Sequence, residues 1–325
     1  MTLTKSCAIA CLTALAILTA APCRGDLFAV MATGNEILRI DSATGSVTRT
    51  YPFPDFLPPF SGPSFGLAFD GRLLYVARGN GPMSQISTLD VVDHVWFPPA
   101  FVDTFTPSGE QPLSGLGFRH DEFGGTLIGV SRPIPGGGPL SHVFQYWPQP
   151  FFDPFLINMN IPPGELPSNL SAHGADIDPA TGDLWIAADE VMGATVLGRR
   201  FIRSDLSGTV LQTLTPPTIS PPVMIRGLGF DAGAMFVGGR QFMTNTNFVY
   251  EIDRSTGAII RSFAIPGTGS LNGLAGGDVI PEPSSALLAV LALGSLATKR
   301  RLRKSLRLGR RGDARIYYSA SSAKA

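Results

Sequence analysis

The sequence predicts an all-β fold, a five-bladed β-propeller closed by its two chain ends sharing one blade. Three observations carry this. A Gly-(apolar)-x-(apolar)-x phrase recurs as Gly66-Leu67-Ala68-Phe69-Asp70, Gly115-Leu116-Gly117-Phe118-Arg119, Gly174-Ala175-Asp176-Ile177-Asp178 and Gly227-Leu228-Gly229-Phe230-Asp231, with a degenerate copy at Gly273-Leu274-Ala275-Gly276-Gly277-Asp278. The copies start 46 to 59 residues apart, close to the length of a four-stranded blade. Between them apolar and polar residues alternate with a period of two, Gly and Pro are frequent, and almost no helical pattern runs uninterrupted.

Taken in order, each phrase is a first strand and leads into a short apolar second strand at 73–77, 126–130, 183–187 and 234–238. A third segment alternates in and out at 85–89, 142–147, 201–205 and 248–253. A turn and a fourth strand follow. They are clearest at Asp253-Arg254-Ser255-Thr256-Gly257, leading into 258–263, and in the N-terminal counterpart Asp41-Ser42-Ala43-Thr44-Gly45, leading to Val47 and Tyr51. The Asp side chain accepts from the backbone ahead of it and the Gly supplies a positive φ, which together make a turn. The body begins at Asp26 with a second-type strand (27–31) and ends with a first-type phrase at Gly273. Joined, the two fragments make one complete blade and leave no edge strand open. The third blade is the weakest of the five, because the proline-rich stretch 148–167 interrupts it.

The formal charge is zero, but its distribution is not even. Residues 26–280 hold 13 Arg, no Lys and 23 acidic residues, a net charge of −10. Residues 299–325 hold ten basic residues against Asp313 alone, a net charge of +9. An acidic body and a basic tail meet different surroundings. The first 25 residues read as a secretory signal peptide: one charge at Lys5, an uncharged apolar run over 7–21, then a break at Arg24-Gly25-Asp26. Cleavage falls after Ala21, Cys23 or Gly25, the last two being favoured because Pro22 directly after a cut is unfavourable. The residues before Cys23 are Ala20, Ala21 and Pro22, which does not fit a lipoprotein signal. All three cysteines (Cys7, Cys11, Cys23) lie in or beside this leader, so the body has neither an internal disulfide nor a cysteine-based zinc site.

At the other end, Ile280-Pro281-Glu282-Pro283-Ser284-Ser285 runs into an uncharged apolar stretch that ends at Thr298, followed by the basic residues Lys299, Arg300, Arg301, Arg303 and Lys304. Thirteen helical residues reach only ~20 Å against a hydrocarbon core of ~30 Å. Ser284 and Ser285 lengthen the helix upstream, and the Lys and Arg side chains snorkel downstream. Basic residues after the helix place the C-terminus in the cytoplasm and the body outside, in agreement with the signal peptide. Four segments follow: a signal peptide at 1–25, a propeller at 26–279, a tail signal at 280–304 with a transmembrane helix at 285–298, and a basic cytoplasmic tail at 305–325, read as disordered or, through Leu302 and Leu306 one helical turn apart among basic residues, as lying on the anionic leaflet.

Pro281-Glu282-Pro283, a short Leu/Ala-rich helix and an Arg/Lys cluster together resemble the PEP-CTERM sorting signal. The resemblance implies an exosortase, a membrane cysteine protease-transpeptidase, as processing partner. It also implies a Gram-negative host that makes extracellular polysaccharide. It covers about 279–304. The chain departs from the family pattern by running on through Arg310-Arg311-Gly312-Asp313 to Ala325. The body, through loose phrases such as Leu184-Trp185-Ile186-Ala187, resembles the broad NHL, YVTN or SMP-30 group of propellers, an architecture that serves many functions.

Candidate chemistry is sparse. Lactonases of that group use converging metal ligands at the channel mouth. Asp70, Asp176, Asp178 and Asp231 are the residues here that a Ca²⁺ ion would use, although Arg119 breaks the series. Turn and cap roles are the competing reading and the favoured one. His94, His120, His142 and His173 are read as lying in different blades without metal spacing. Arg311-Gly312-Asp313 has the form of an adhesion tripeptide but falls in the segment assigned to the cytoplasm, and Asn169-Leu170-Ser171 is a glycosylation sequon of little weight in a bacterium. An acidic body disfavours nucleic acid. The expectation is therefore a non-enzymatic protein of the cell surface or extracellular matrix whose propeller binds polysaccharide or another protein, with no cofactor. A secreted metal-dependent, lactonase-like hydrolase is the alternative.

Overall fold

The computed structural model describes residues 25–31, 36–53, 65–80, 83–102, 105–106, 109–110, 113–120, 125–131, 142–147, 157–158, 164–192, 195–217, 223–241, 243–267 and 269–277. The chain divides into two compact units, Met1–Val279 and Ile280–Ala325, and every described residue belongs to the first. The signal peptide up to Arg24, the Pro281-Glu282-Pro283 motif, the apolar helix 285–298, the basic residues 299–304 and the tail 305–325 lie outside the described residues. Among the described residues no helix is long and apolar enough to cross a membrane.

In chain order the strands are β1 (Asp26–Met31), β2 (Glu36–Asp41), β3 (Val47–Pro52), β4 (Phe65–Phe69), β5 (Leu73–Asn80), β6 (Met83–Asp90) and β7 (Val95–Val102). A hairpin follows, β8 (Phe105–Thr106) with β9 (Gly109–Glu110). Next come β10 (Leu113–Arg119), β11 (Thr126–Ser131), β12 (His142–Trp147), β13 (Ile157–Asn158) and β14 (Gly164–Glu165). The remainder are β15 (Leu170–Ile177), β16 (Leu184–Met192), β17 (Thr195–Ser204), β18 (Val210–Leu214), β19 (Val223–Asp231), β20 (Ala234–Gln241), β21 (Asn247–Ile252), β22 (Ile259–Ile265) and β23 (Leu271–Gly276). They form five antiparallel blades: β23-β1-β2-β3, β4-β5-β6-β7, β10-β11-β12-β13 with β14, β15-β16-β17-β18 and β19-β20-β21-β22.

The first blade is the closure the repeat count requires. Strand β23 lies beside β1 with Gly276 opposite Leu27, Leu274 opposite Ala29 and Gly273 opposite Val30, so the last strand of the body completes the sheet begun by the first. The third blade has the interrupted edge expected of its proline-rich stretch. Its outer edge comes in two pieces, Ile157 and Asn158 opposite Trp147 and Tyr146, and Gly164 and Glu165 opposite Val143 and His142. Proline has no N–H to give a ladder, and both pieces fall in proline-free gaps between Pro154, Pro162, Pro163 and Pro167.

Burial grades from the axis outward. Inner strands β10 and β23, and β11 beside β10, are buried almost throughout, whereas outer strands β18 and β22 alternate exposed and covered positions. This explains the two sequence textures: apolar-and-glycine phrases where both faces are covered, period-two alternation where one face is wet. The apolar interior falls into five seams, one between each pair of neighbouring blades. Phe28, Leu67, Leu74 and Val76 fill the first-to-second seam, and Tyr75, Leu116, Phe118 and Tyr146 the second-to-third. Ile128, Ala175, Ile177 and Ile186 fill the third-to-fourth seam, and Trp185, Leu228, Phe230 and Met235 the fourth-to-fifth. Leu27, Ile40, Phe236 and Leu274 close the ring.

The phrase glycines set how close the blades come. A Cβ on Gly66 would lie 2.7 Å from the carbonyl carbon of Gly115, one on Gly115 2.5 Å from the nitrogen of Ala175, one on Gly174 2.8 Å from the Cα of Gly227, and one on Gly227 2.4 Å from the nitrogen of Leu274. Successive inner strands therefore meet backbone to backbone, and any side chain there would push two blades apart. In the Asp-x-x-Thr-Gly turns, Asp41 Oδ1 accepts from the nitrogens of Ala43 (2.7 Å) and Thr44 (3.1 Å), and Gly45 has φ +75°. Asp253 and Gly257 repeat the arrangement before β22.

Gly227→Ala is expected to cost about 3 kcal/mol in urea unfolding, the upper range for overpacking a rigid site. Gly198→Ala, whose added methyl meets only the movable end of Arg200, should stay within about 0.5 kcal/mol of the parent. Equal effects of the two substitutions would refute the close-approach account.

Candidate functional site

The four aspartates nominated as metal ligands are each engaged by the fold. Asp70 caps the β4–β5 turn: Oδ1 accepts from the nitrogens of Arg72 (2.8 Å) and Leu73 (2.5 Å), and Oδ2 from the Tyr75 hydroxyl (3.0 Å). Burial and the neighbouring Asp70 charge push the Tyr75 hydroxyl far above its usual range, so it stays protonated and keeps donating. Asp178 caps the turn after β15 through the nitrogen of Ala180 (3.0 Å) and takes a charged bond across the seam from Arg254 of the fifth blade (2.6 Å). The turn-and-cap reading therefore holds for Asp70, and for Asp178 in part.

Asp176 and Asp231 do something else. Asp176 stands inside β15, where the equivalent phrase position elsewhere is Ala68, Gly117, Gly229 or Ala275. Its Oδ2 accepts from the nitrogen of Phe230 in the fifth blade, at 2.9 Å. Asp231, buried, accepts from the nitrogen of Gly25 at 3.0 Å and from the Ser42 hydroxyl, both on the first blade. Buried carboxylates are stable only when hydrogen-bonded, and these two are held by a neighbouring blade. Among the described residues no group of three or more His, Cys, Asp or Glu side chains is arranged to hold a metal ion. The repeat aligns Asp70, Asp178 and Asp231 in sequence, with Asp176 two residues earlier in its phrase, but among the described residues these aspartates form no group that could hold a metal ion.

The histidines need one correction. His94 belongs to the second blade and His173 to the fourth, but His120, just after β10, and His142, the first residue of β12, both lie in the third. Strand β11 separates β10 from β12 in that sheet, so shared blade membership does not make the two neighbours. Asn169 is exposed in the turn before β15, its amide donating to Glu190 at 3.3 Å.

His173 anchors a polar network that no motif along the chain announces. Arg226 of β19 donates to Nδ1 (2.9 Å), and Nε2 faces Asp189 of β16 (2.8 Å). A guanidinium carries donors only, so Nδ1 is the acceptor and the proton sits on Nε2, donated to Asp189. Arg199 lies 3.7 Å from the other oxygen of that carboxylate. Burial pushes the Asp189 carboxyl up, but the His173 bond and the Arg199 and Arg226 charges outweigh it and hold the group below the usual carboxylate range. The side chains fill the space between them, and the network fastens the fourth blade to the fifth.

Room for a ligand exists at the other ends of the strands, in the seam between the first and second blades. A cleft of about 360 Å³ is lined there by Asp26, Arg39 and Arg49 on one wall and by Phe69, Val92 and His94 on the other. Arg39 pairs with Asp26, which raises its pKa and keeps it a cation. Arg49 is exposed and lies 5.4 Å above the Tyr51 ring. His94 occupies the β6–β7 turn at φ +59°, with its ring 5.6 Å from Tyr51. A side chain with a Cβ held at positive φ is strained, and such positions recur at functional sites. The wall thus offers two cations against one carboxylate on a body whose net charge is −10 over 26–280. None of these residues belongs to the repeated phrase wall except Phe69, which is why the repeat did not point to them.

No family model and no curated protein matches the chain. Among solved structures it is similar to a protein of unknown function from Bacteroides caccae (8% identity, 78% of this chain, 98% of that one, TM-score 0.38). It is also similar to an exo-β-1,3-galactanase from Phanerochaete chrysosporium (12%, 73% and 61%, TM-score 0.49) and to the periplasmic gluconolactonase of Pseudomonas aeruginosa (16%, 75% and 84%, TM-score 0.41). At these identities and TM-scores the likenesses carry nothing about activity.

The Asp189 network yields a pH signature. A carboxyl whose pKa is lower folded than unfolded adds stability that is full above the unfolded value and fades as pH falls through the folded one. Asp189→Asn should cost about 2 kcal/mol at pH 7, and denaturant melts should show that gap narrowing only below the ordinary carboxylate pKa of about 3.9. A gap unchanged down to pH 2.5 would show that the charge is not what Asp189 contributes.

Proposed function

We propose that this is an exported protein of the cell surface or extracellular matrix, delivered through its C-terminal signal, whose propeller is a binding module for polysaccharide or another protein. The carrying observation is the order of parts at the two ends: an uncharged apolar run behind Lys5, and Pro281-Glu282-Pro283, an apolar stretch and the basic cluster Lys299, Arg300, Arg301, Arg303 and Lys304 at the other end. Two orientation cues from opposite termini agree in placing the acidic body outside. Exosortase is the processing partner, the membrane is the site of processing, and nucleic acid is not a partner of a body this acidic.

The propeller's role in this reading is recognition without turnover. Support comes from the four nominated aspartates, which spend their oxygens on turn nitrogens, a tyrosine hydroxyl, a guanidinium and the backbone of neighbouring blades. Asp176→Ala should accordingly lower stability, by about 2 kcal/mol for a charged hydrogen bond lost across a seam. It should alter no hydrolytic rate in a panel of lactones and phosphoesters with Ca²⁺. Turnover by the parent that Asp176→Ala abolishes would return the lactonase-like reading to first place.

The tail is proposed as a processed signal rather than a lasting anchor. Two prolines keep the tripeptide segment extended and open to a protease, and a helix that barely spans suits brief presentation to a membrane enzyme better than permanent retention. Residues 279–325 fused to an exported reporter should be cleaved near Pro283 only in a host that carries an exosortase. A full-length, membrane-bound reporter in hosts with and without the enzyme would leave a plain transmembrane anchor.

A further inference from the structure

We infer that the cleft between the first and second blades binds a saccharide unit bearing a single carboxylate, a sugar acid of the uronate type. The inference rests on the reading of the propeller as a binding module and names the ligand class of that module.

Three features of the cleft select this ligand. First, Arg49 is exposed beside the Tyr51 ring, and His94, whose ring lies 5.6 Å from that of Tyr51, lines the same cleft, so a carboxylate entering there meets a cation without displacing an ion pair. Arginine recognises carboxylates with two parallel bonds, which fixes orientation as well as charge. Second, Asp26 shares the wall and is an acceptor. It repels a second carboxylate but takes bonds from hydroxyls, and its partner Arg39 offers donors beside it. A ligand with one acid group and several hydroxyls satisfies both; a dicarboxylate does not. Third, Phe69 and Val92 give the opposite wall an apolar surface, and Val92 is 64% exposed. The C–H face of a sugar ring covers such a surface while its hydroxyls point to the charged wall.

The cleft volume of about 360 Å³ admits one or two sugar rings and falls at the small end of ligand sites. The charge of the whole body limits the ligand further. At −10 over 26–280 it opposes a densely charged polyanion, while at physiological salt a Debye length of ~8 Å leaves the local cations of the cleft in control of a single carboxylate. The inferred ligand is therefore an isolated acidic sugar, at a chain end or spaced among neutral sugars.

Saturation-transfer NMR and titration on the purified full-length protein, in detergent micelles, test this with four probes: D-glucuronate, D-glucose, N-acetyl-glutamate amide and polygalacturonate. D-glucuronate should bind at least about tenfold more tightly than D-glucose. Polygalacturonate should gain nothing per sugar unit over the monomer. Arg49→Glu and Val92→Asp, both at exposed positions, should each weaken D-glucuronate binding by about tenfold or more with the melting temperature unchanged. Equal binding of D-glucose would overturn the carboxylate selection while leaving a saccharide-binding propeller. Equal binding of N-acetyl-glutamate amide would overturn the sugar selection and leave a binder of acidic peptide. No binding of any probe, or binding indifferent to both variants, would remove the cleft as the site, and the sorting reading would still stand or fall on its reporter alone.

Discussion

Five inner strands meet backbone to backbone around one axis, and the rest of the body is arranged to permit that approach. Gly66, Gly115, Gly174 and Gly227 each present a bare Cα to the next blade, at separations no Cβ could share. With the inner strands so close, the seams widen only outward, and each is filled by its own apolar cluster rather than by a common core. The ring must also close, because a fifth seam left open would expose both an apolar face and a strand edge. Pairing β23 with β1 removes both at once, tying the first described strand of the chain to the last.

The same closeness explains the polar chemistry of the body. Where the seams are too tight for side chains to interleave, neighbouring blades are joined by short polar links. Asp176 reaches the backbone of Phe230, Arg254 reaches Asp178, and Arg261 donates to the carbonyls of Ser42 and Ala43. Asp231 holds Gly25 and Ser42 on the far side of the closure. These bonds concentrate on the fourth and fifth blades and the closing blade. A carboxylate in such a position is worth most as a fixed acceptor, because leaving the opposing N–H unpaired in a dry seam costs more than the bond itself gains.

The first-to-second seam is built differently at its rim. Instead of a link between blades it carries a cleft, with a cation-rich wall from β1–β3 facing an apolar wall from β4 and the β6–β7 turn. The cleft lies in the seam between two blades, away from the inner strands whose backbones meet so closely. The proposed sorting signal and the cleft make separate demands on the chain. The signal is proposed from linear order and hydropathy alone, while the cleft is built from residues as far apart in the chain as Asp26 and Gly277.

That contrast marks what each level decided. The sequence alone determined the blade count, the closing of the ring by its two ends and the broken edge of the third blade. These follow from local rules: glycine where backbones touch, alternation where one face is wet, Asp-x-x-Thr-Gly where the chain turns, and proline where a ladder cannot continue. The proposed tail signal is likewise read from consecutive residues, and it lies outside the described residues. Only the tertiary structure decided which aspartates cap turns and which bridge blades, because Asp176 and Asp178 stand two residues apart and look alike until Phe230 and Arg254 are seen across the seam. It also decided that His173, Asp189, Arg199 and Arg226 form one network, and that Arg39, Arg49 and His94 share a cleft. These groups join residues from different strands and, across the seams, from different blades, and no periodicity along the chain encodes which side chains a closed ring will bring face to face.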